Sequence, residues 1–357
     1  MRGIRRIVAL GIAGALMFSV TSGATPASAS ASASGHGKVE VLLSGLSSPK
    51  GVTIDTDGSP IVGQGAFGPP GPVVKYVLRG RDRGNTIAIT DPVNVIDVAV
   101  APDDTAWAIG GDRILYRATP DGIIEAVLDI AAYQEGDPDP VDQDDFAEES
   151  NPYGLTTLPS GDALLTDAAN NDLLRVTPDG DTTTVARFDL ETISTDHLPP
   201  GPPPTLTAEA VPTTVAIGPD GWAYVGELKG YPFRPGTSHV WRIDPDAEGA
   251  FCSIRTPDPR CSVYAEGLTA IQDIAFNQHN SRLYVYELAA EGVLAFEEGL
   301  DTGVFPAAVL LKIKKHKRTE LAAGELSQPG GIAVAHDGTV FATDGVFTEG
   351  RLLRIRG

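Results

Sequence analysis

The chain has 357 residues, of which 42% are hydrophobic and 21% are charged, a composition typical of globular rather than disordered proteins. Its formal net charge is −20 at pH 7, from 47 acidic and 27 basic residues. A protein this acidic is repelled by nucleic acid and anionic lipid. The charge therefore argues against both as partners and suits a protein that acts outside the cell.

The N-terminus has the pattern of an export signal. Three arginines precede a short apolar run at residues 7–20, and A-x-A sites follow it. We assign residues 1–34 to a secretory signal peptide and Ser/Ala linker, cleaved between Ala29 and Ala33, and expect a secreted protein. The adjacent Arg5 and Arg6 leave the twin-arginine route open as an alternative. No stretch approaches the ~20 apolar residues of a membrane span, so none is predicted in the mature chain.

The remainder, residues 38–357, repeats one pattern six times. Each unit has an apolar strand, an Asp-Gly-type hairpin turn, a second apolar strand, and a third strand that in three units ends in Arg-Val or Arg-Ile. In chain order the turns lie at Asp57, Asp103, Ser160, Asp220, Asn280 and Asp337. A period of roughly 45 to 60 residues with four short strands per unit predicts an all-β fold, a six-bladed β-propeller in one domain. A β-sandwich is the alternative, and the recurrence of one pattern argues against it.

The ends of the chain predict how the ring closes. The sixth unit stops after its third strand, whereas residues 39–43 form a strand that precedes the first unit. We therefore expect this leading strand to complete the last blade. Residues 189–210, which include a Pro-rich run, are interpreted as a loop between blades rather than as a seventh blade.

The two cysteines, Cys252 and Cys261, are nine positions apart. In an exported chain, two nearby cysteines favour a disulfide that closes a small loop. A metal-binding pair is the alternative, but no histidine lies at ligand spacing from them.

Acidic residues recur where the second strands of the units end. In a propeller these positions open onto one face, together with the loops that enter the inner strands, so we expect a polar funnel there. The candidate funnel residues are Gln64, Asn151, Tyr153, Asp167, Glu227, Gln272, Asp273, Glu287 and Asp344. Carboxylates crowded together raise one another's pKa or recruit a cation. The alternative is that these residues cap turns and stay hydrated.

A divalent cation is the ligand that these side chains would suit. Oxygen ligands without sulfur and with little imidazole favour Ca²⁺ or Mg²⁺ over zinc, and Ca²⁺ is the cofactor we predict. Its candidate ligands are Asp167, Glu227, Glu287 and Asp344. A second acidic stretch, residues 135–149, fails the EF-hand spacing, so we interpret it as a solvated loop that lies across the channel mouth rather than as a calcium site.

Several segments resemble the ScyD/ScyE family of exported bacterial proteins. They are residues 150–155 (SNPYGL), 166–176 (TDAANNDLLRV), 211–216 (VPTTVA) with 224–233 (YVGELKGYPF), and 329–334 (PGGIAV). The resemblance covers nearly all of the mature chain. It implies a six-bladed propeller related in architecture to the NHL-repeat and gluconolactonase-like group, and it assigns no catalytic residues. Blade five departs from the pattern, because His279-Asn280-Ser281 replaces its Asp-Gly turn.

Three functions follow as hypotheses. The first is a monomeric binding module for a small or extended ligand. The second is a metal-assisted lactonase or hydrolase, in which a bound cation activates water. The third is a scaffold for protein contacts. The sequence contains no G-x-S-x-G and no H-E-x-x-H motif, which favours the first hypothesis.

Overall fold

The computed structural model describes residues 37–120, 122–143, 146, 148–315 and 317–357. Six antiparallel sheets are arranged in a ring, and each innermost strand contacts those of the two neighbouring sheets. The predicted six-bladed β-propeller is thus confirmed. The predicted signal peptide lies outside the described residues. Within them, no helix has the length and apolarity needed to cross a membrane.

The first three blades follow one another along the chain, each numbered from its inner strand outward. Blade 1 consists of β2 (Val52–Ile54), β3 (Pro60–Val62), β4 (Val74–Tyr76) and β5 (Thr86–Ala88). Blade 2 consists of β6 (Val95–Val100), β7 (Ala106–Gly110), β8 (Ile114–Ala118) and β9 (Ile124–Asp129). Blade 3 consists of β10 (Pro152–Thr157), β11 (Ala163–Asp167), β12 (Asp172–Val176) and β13 (Thr182–Phe188).

The other three blades repeat this order. Blade 4 consists of β16 (Pro212–Ile217), β17 (Ala223–Glu227), β18 (Ser238–Ile243) and β20 (Cys261–Leu268). Blade 5 consists of β21 (Ile271–Asn277), β22 (Arg282–Glu287), β23 (Val309–Lys314) and β24 (Lys317–Leu321). Blade 6 consists of β25 (Ile332–Val334), β26 (Val340–Asp344), β27 (Gly350–Arg356) and β1 (Lys38–Leu46).

The remaining elements are insertions between these strands. Helix α1 (Ile130–Gly136) follows blade 2, and helix α2 (Val293–Thr302) lies between the second and third strands of blade 5. Strands β14 (Glu191–Ser194) and β15 (Thr205–Ala208) form a separate hairpin. Strand β19 (Ala250–Cys252) adds to blade 3 in parallel with β13. Residues 189–210 connect blades 3 and 4 without forming a seventh blade, as predicted, but the segment is not a plain loop because β14 and β15 pair within it.

The hairpin turns form because their aspartates hydrogen-bond the local backbone. The Oδ1 atoms of Asp57, Asp103 and Asp337 accept from the backbone N–H two residues later, at 2.8, 3.0 and 2.9 Å. Gly58 and Gly338 then adopt positive φ values of 85° and 87°, which glycine tolerates best. The Asp-Gly signal in the sequence is thus a local structural requirement.

Apolar residues on both faces of the sheets are buried between neighbouring blades. For example, Leu164 and Leu173 of blade 3 join Val225 and Trp241 of blade 4 in one cluster. Equivalent clusters join the other neighbouring pairs. Burial of this surface is the main force that holds the ring together.

The ring closes through its two chain ends, as predicted. Strand β1 pairs antiparallel with β27, from Lys38 opposite Arg356 to Leu46 opposite Gly350. The predicted disulfide between Cys252 and Cys261 is also confirmed. It links β19 to β20, so it ties the added strand of blade 3 to the outer strand of blade 4.

Candidate functional site

Four inner strands carry a β-bulge at the same place, one residue after they begin. A bulge leaves one residue unpaired and redirects its side chain. The bulged residues are Ile96, Tyr153, Thr213 and Gln272. By repeat alignment, Lys50 takes the same position before β2. The bulges thus define one layer of side chains near the axis of the ring.

Three of these side chains contact one another and close one end of the channel. The Lys50 ammonium donates to the Tyr153 carbonyl oxygen at 2.6 Å and lies 3.9 Å from the centre of the Tyr153 ring. The Gln272 amide donates to the Tyr153 hydroxyl at 2.8 Å. Lys50, Tyr153 and Gln272 are only 4%, 3% and 5% exposed. This end is therefore a packed polar plug.

Beyond the plug, all six inner strands enclose a central cavity of about 250 Å³. Its lining extends from Asp97 and Asp273 to Val100, Ile217 and Gln278, at the hairpin-turn end of the strands. The funnel was expected on the opposite face, so the structure places the cavity on the other side of the plug. A larger groove of about 700 Å³ between α1 and β13 is shallow and open to solvent, which makes it a weaker ligand site.

Asp97 and Asp273 hold neighbouring blades together at the inner end of the cavity. Asp97 accepts backbone N–H groups of Val98 and Leu155, each at 2.9 Å. Asp273 accepts the Thr214 hydroxyl at 2.5 Å and the Ile332 N–H at 2.6 Å. Both carboxylates line the cavity and remain partly accessible.

Glycines provide the space for these carboxylates. A Cβ atom on Gly51 would lie 2.6 Å from Asp97 Oδ1, and one on Gly331 would lie 3.0 Å from Asp273 Oδ2. Gly51 and Gly331 occupy the positions in their repeats that Asp97 and Asp273 occupy in theirs. Any side chain at either glycine would displace the carboxylate beside it.

The charges at this end of the cavity interact. Burial raises the pKa of Asp97 to about 7; the Lys50 charge opposes this rise and the Asp273 charge adds to it. Burial likewise raises the pKa of Asp273 and lowers that of Lys50. None of the ion pairs among the described residues includes Lys50, so its ammonium acts on both carboxylates without direct contact. With both carboxylates ionised, the three groups carry one excess negative charge.

The predicted funnel residues separate into two groups. Asp273 lines the cavity, and Tyr153 and Gln272 form its plug. The other six have hydrogen-bond partners within or next to their own blades and are absent from the cavity lining. They are Gln64, Asn151, Asp167, Glu227, Glu287 and Asp344.

The local contacts of these six explain why acidic residues end the second strands. Asp167 Oδ1 accepts from Asn151 N at 2.7 Å, Glu287 accepts from Thr269 N at 2.8 Å, and Asp344 pairs with Arg351 at 2.9 Å. Burial raises the pKa of Glu287 to about 7 and also raises that of Asp344. The contacts therefore match the capping part of that alternative, but Asp167, Glu227 and Asp344 are completely buried rather than hydrated.

A second cluster of charged residues lies beside blade 4. Among the described residues, the one group of three metal-type ligands with all ligand atoms within 4.8 Å is Glu191, Glu227 and His239. Asp167, Glu287 and Asp344 belong to no such group. Of the four predicted calcium ligands, only Glu227 therefore belongs to a described group of three histidine, cysteine or acidic side chains.

Lys229 already supplies a positive charge to this cluster. Its ammonium lies 2.8 Å from Glu191 Oε1 and also pairs with Glu227, and the lysine is only 1% exposed. His239 Nδ1 lies 2.9 Å from Glu227 Oε1, and the Trp241 ring N–H donates to that same oxygen at 2.8 Å. A metal ion here would have to displace the lysine and a proton on His239.

The pKa of His239 leads to a testable pH dependence. Burial alone would lower it, but Glu191 and Glu227 outweigh this and raise it to about 9. A raised histidine pKa gives stability that is complete below the unfolded-state pKa of about 6.5 and is lost as pH rises through about 9. We expect His239 to add about 3 kcal/mol to the free energy of unfolding at pH 6 and almost none at pH 10.

Urea unfolding of wild type and His239→Gln at these two pH values measures this effect. In His239→Gln, the part of the free energy of unfolding that His239 contributes at pH 6 and loses at pH 10 should be missing. His279→Gln, in an exposed turn, should show the same pH dependence as wild type. An identical pH dependence in wild type and His239→Gln would contradict the charged network.

Comparisons with known proteins support the propeller fold but do not identify a function. No protein-family model matches the chain, and no curated protein matches it. Similar solved structures include the PQQ domain of a pyranose dehydrogenase from Coprinopsis cinerea, with 12% identity, a TM-score of 0.56, and 89% of this chain and 95% of that chain covered. A gluconolactonase from Xanthomonas campestris has 12% identity, a TM-score of 0.54 and 89% coverage of both chains.

A PQQ-bound aldose sugar dehydrogenase from Streptomyces coelicolor gives a similar result, with 13% identity and a TM-score of 0.53. The match covers 90% of this chain and 99% of that one. Identities this low establish a shared propeller fold alone.

Sequence reasoning missed several residues of these clusters. Asp97 has no acidic counterpart in most repeats, and no pattern in the sequence singles out Lys50. Glu191 lies in the segment interpreted as a loop, and Lys229 and His239 lie outside the aligned position. Aligning the starts of the inner strands, rather than the ends of the second strands, would have singled out Asp97 beside Asp273.

Proposed function

We propose that this chain is an exported propeller of the ScyD/ScyE type that binds a small organic cation in its central cavity. The observation that carries the proposal is the pair Asp97 and Asp273 at the inner end of that cavity. A ligand ammonium placed there would balance the excess negative charge and pair with groups that Lys50 does not contact. The cavity lies slightly below the usual volume range of ligand sites, so it suits a small molecule.

Lys50 disfavours a divalent ion at this position. Its buried ammonium repels an ion of charge +2 more strongly than a monovalent ligand of similar size. The predicted calcium ligands Asp167, Glu227, Glu287 and Asp344 have separate partners. We therefore favour an organic cation over Ca²⁺ as the ligand of the central cavity.

The test is isothermal titration of the mature protein with the monovalent cation 4-amino-1-butanol and with uncharged 1,4-butanediol. We expect the amino alcohol alone to bind at pH 8, and about tenfold more weakly at pH 6 because Asp97 takes up a proton below about pH 7. Asp97→Asn and Asp273→Asn should each lower affinity at least about tenfold.

Asp179→Asn, at an exposed turn outside the cavity lining, is the matched control and should bind as wild type does. Circular dichroism verifies that each variant is folded. Equal binding of the diol, or no binding of either compound, would refute the proposal.

A hydrolase is the second candidate, and the pKa of Asp97 favours it. A cavity carboxylate that titrates near pH 7 has the property expected of a general base that activates water. In this case small lactones or esters should be hydrolysed above background, with a rate that rises through pH 7 and is abolished in Asp97→Asn. Binding of the amino alcohol without such hydrolysis would favour the binding module over the hydrolase.

A further inference from the structure

A pair of buried carboxylates in blade 3 has no role in the central cavity. Asp167 ends β11 and Asp172 begins β12, and the two residues lie directly opposite each other in the sheet. Both are completely buried. The α1 residue Gln134, also completely buried, covers them.

The two carboxylates differ in how their oxygens are satisfied. Asp167 Oδ1 accepts three backbone N–H groups, and its Oδ2 accepts the Ser150 hydroxyl at 2.7 Å. Both Asp172 oxygens share one donor, the Gln134 amide nitrogen, at 3.2 and 3.1 Å. The Arg187 guanidinium is farther away, 3.7 Å from Asp172 Oδ2. Asp172 therefore has too few donors for a fully buried carboxylate.

The carbonyl oxygen of Gln134 gives independent support for a ligand at this place. It is a buried polar atom without a hydrogen-bond partner. The amide nitrogen of the same group points at the carboxylate pair and lies 3.4 Å from Asp167 Oδ2. Because the two ends of an amide are interchanged by rotation about one bond, either end can face the pair. A carbonyl oxygen facing two carboxylates requires a cation between them.

The local charges also call for a cation. Asp137, Asp167 and Asp172 face one basic side chain, Arg187, which is shared because it lies 2.6 Å from Asp137 Oδ1. If all are ionised, two negative charges remain uncompensated. The other two acidic clusters differ, since each contains a buried lysine, Lys229 or Lys50.

We infer that Asp167, Asp172, Gln134 and Ser150 form a binding site for a divalent cation of the Ca²⁺ type. The side chains offer one Asp167 oxygen, two Asp172 oxygens, the Gln134 carbonyl and the Ser150 hydroxyl. Ca²⁺ takes six to eight oxygen ligands in adaptable geometry, so at least one further oxygen, such as that of a water, would complete these five. Mg²⁺ demands an octahedron and retains several waters, for which a buried site has little room. Of the predicted calcium ligands, this site keeps Asp167 alone.

A bound cation would join α1 to the turn between β11 and β12. Gln134 lies on α1, and Ser150 immediately precedes the entry to β10. The ion would therefore fix both ends of the acidic segment that connects them. Its role is structural and independent of the ligand in the central cavity.

The test is calcium titration of the chelator-treated mature protein, followed by thermal melting and calorimetry. We expect one Ca²⁺ per chain and a rise in Tm of at least about 3 °C at 100 times Kd, with a smaller rise for Mg²⁺. Asp172→Asn and Gln134→Met should each abolish the rise. Two variants are used so that poor folding of one does not decide the result.

Glu227→Gln is the matched control, because Glu227 is a buried carboxylate in the competing cluster with Lys229. This variant should keep the full calcium-dependent rise. A rise that persists in both Asp172→Asn and Gln134→Met, or one that Glu227→Gln removes, would overturn the inference. No calorimetric binding of Ca²⁺ with a Kd of roughly 1 mM or below, the weak end for extracellular calcium modules, would also overturn it.

Discussion

A chain shortened to begin at Ser47 is expected to lose about 4 to 6 kcal/mol of stability, a large part of the total for most domains. Strand β1 is the outer strand of blade 6, and its removal exposes the backbone edge of β27. It also uncovers apolar surface on both sides of that blade. The urea midpoint of the shortened chain should fall sharply, with loss of native circular dichroism at 37 °C.

The physical reason is that β1 contributes to two interblade cores. Leu42, Leu43 and Leu46 pack against the cluster between blades 6 and 1, and Val39 packs against the one between blades 5 and 6. These side chains are half-buried, so each contributes less than a fully buried leucine. Removing these side chains with β1 also removes all backbone hydrogen bonds between β1 and β27.

Val41→Ser is the control for this prediction. Val41 is 51% exposed, so its substitution should change stability by less than about 0.5 kcal/mol. A synthetic peptide covering residues 37–47 should restore the shortened chain in a concentration-dependent way. A shortened chain with the wild-type midpoint would show that the ring does not depend on its closing strand.

Lys229→Met is expected to cost about 3 to 5 kcal/mol, because it leaves Glu191 and Glu227 buried beside each other with His239 as their one cation. Lys229 has a positive φ of 71°, which strains methionine as much as lysine. The backbone strain therefore contributes equally to the stability of wild type and of Lys229→Met. Urea unfolding at pH 8 measures the loss in the free energy of unfolding.

A rescue experiment separates charge from packing. Adding Glu191→Gln and Glu227→Gln to Lys229→Met removes the unpaired charges but keeps the volumes, and should recover most of the lost stability. Glutamine at 227 can still accept from the Trp241 ring N–H. A loss below about 1 kcal/mol in Lys229→Met alone would mean that water or a proton compensates the carboxylates.

The candidate site shows where repeat alignment is informative and where it misleads. Equivalent positions do share one layer of the propeller, since Tyr153 and Gln272 occupy the same position in their repeats and contact each other near the axis. Asp167 and Asp344 are also at equivalent positions, but each has local partners. Equivalence in the repeat fixes the height of a residue along the blade but not the direction of its side chain.

The sequence by itself determined the number of blades, the positions of their turns, the closing strand and the disulfide. The turns, strands and short loops behind these features are each specified by a few adjacent residues, and the closing strand follows from the one unit that lacks an outer strand. Only the tertiary structure decided which charged groups meet. Lys50 contacts a residue 103 positions away, Gln272 one that is 119 away, and Lys229 one that is 38 away. Such contacts depend on the β-bulges and on the closure of the ring, which bring distant residues together without a local pattern in the sequence.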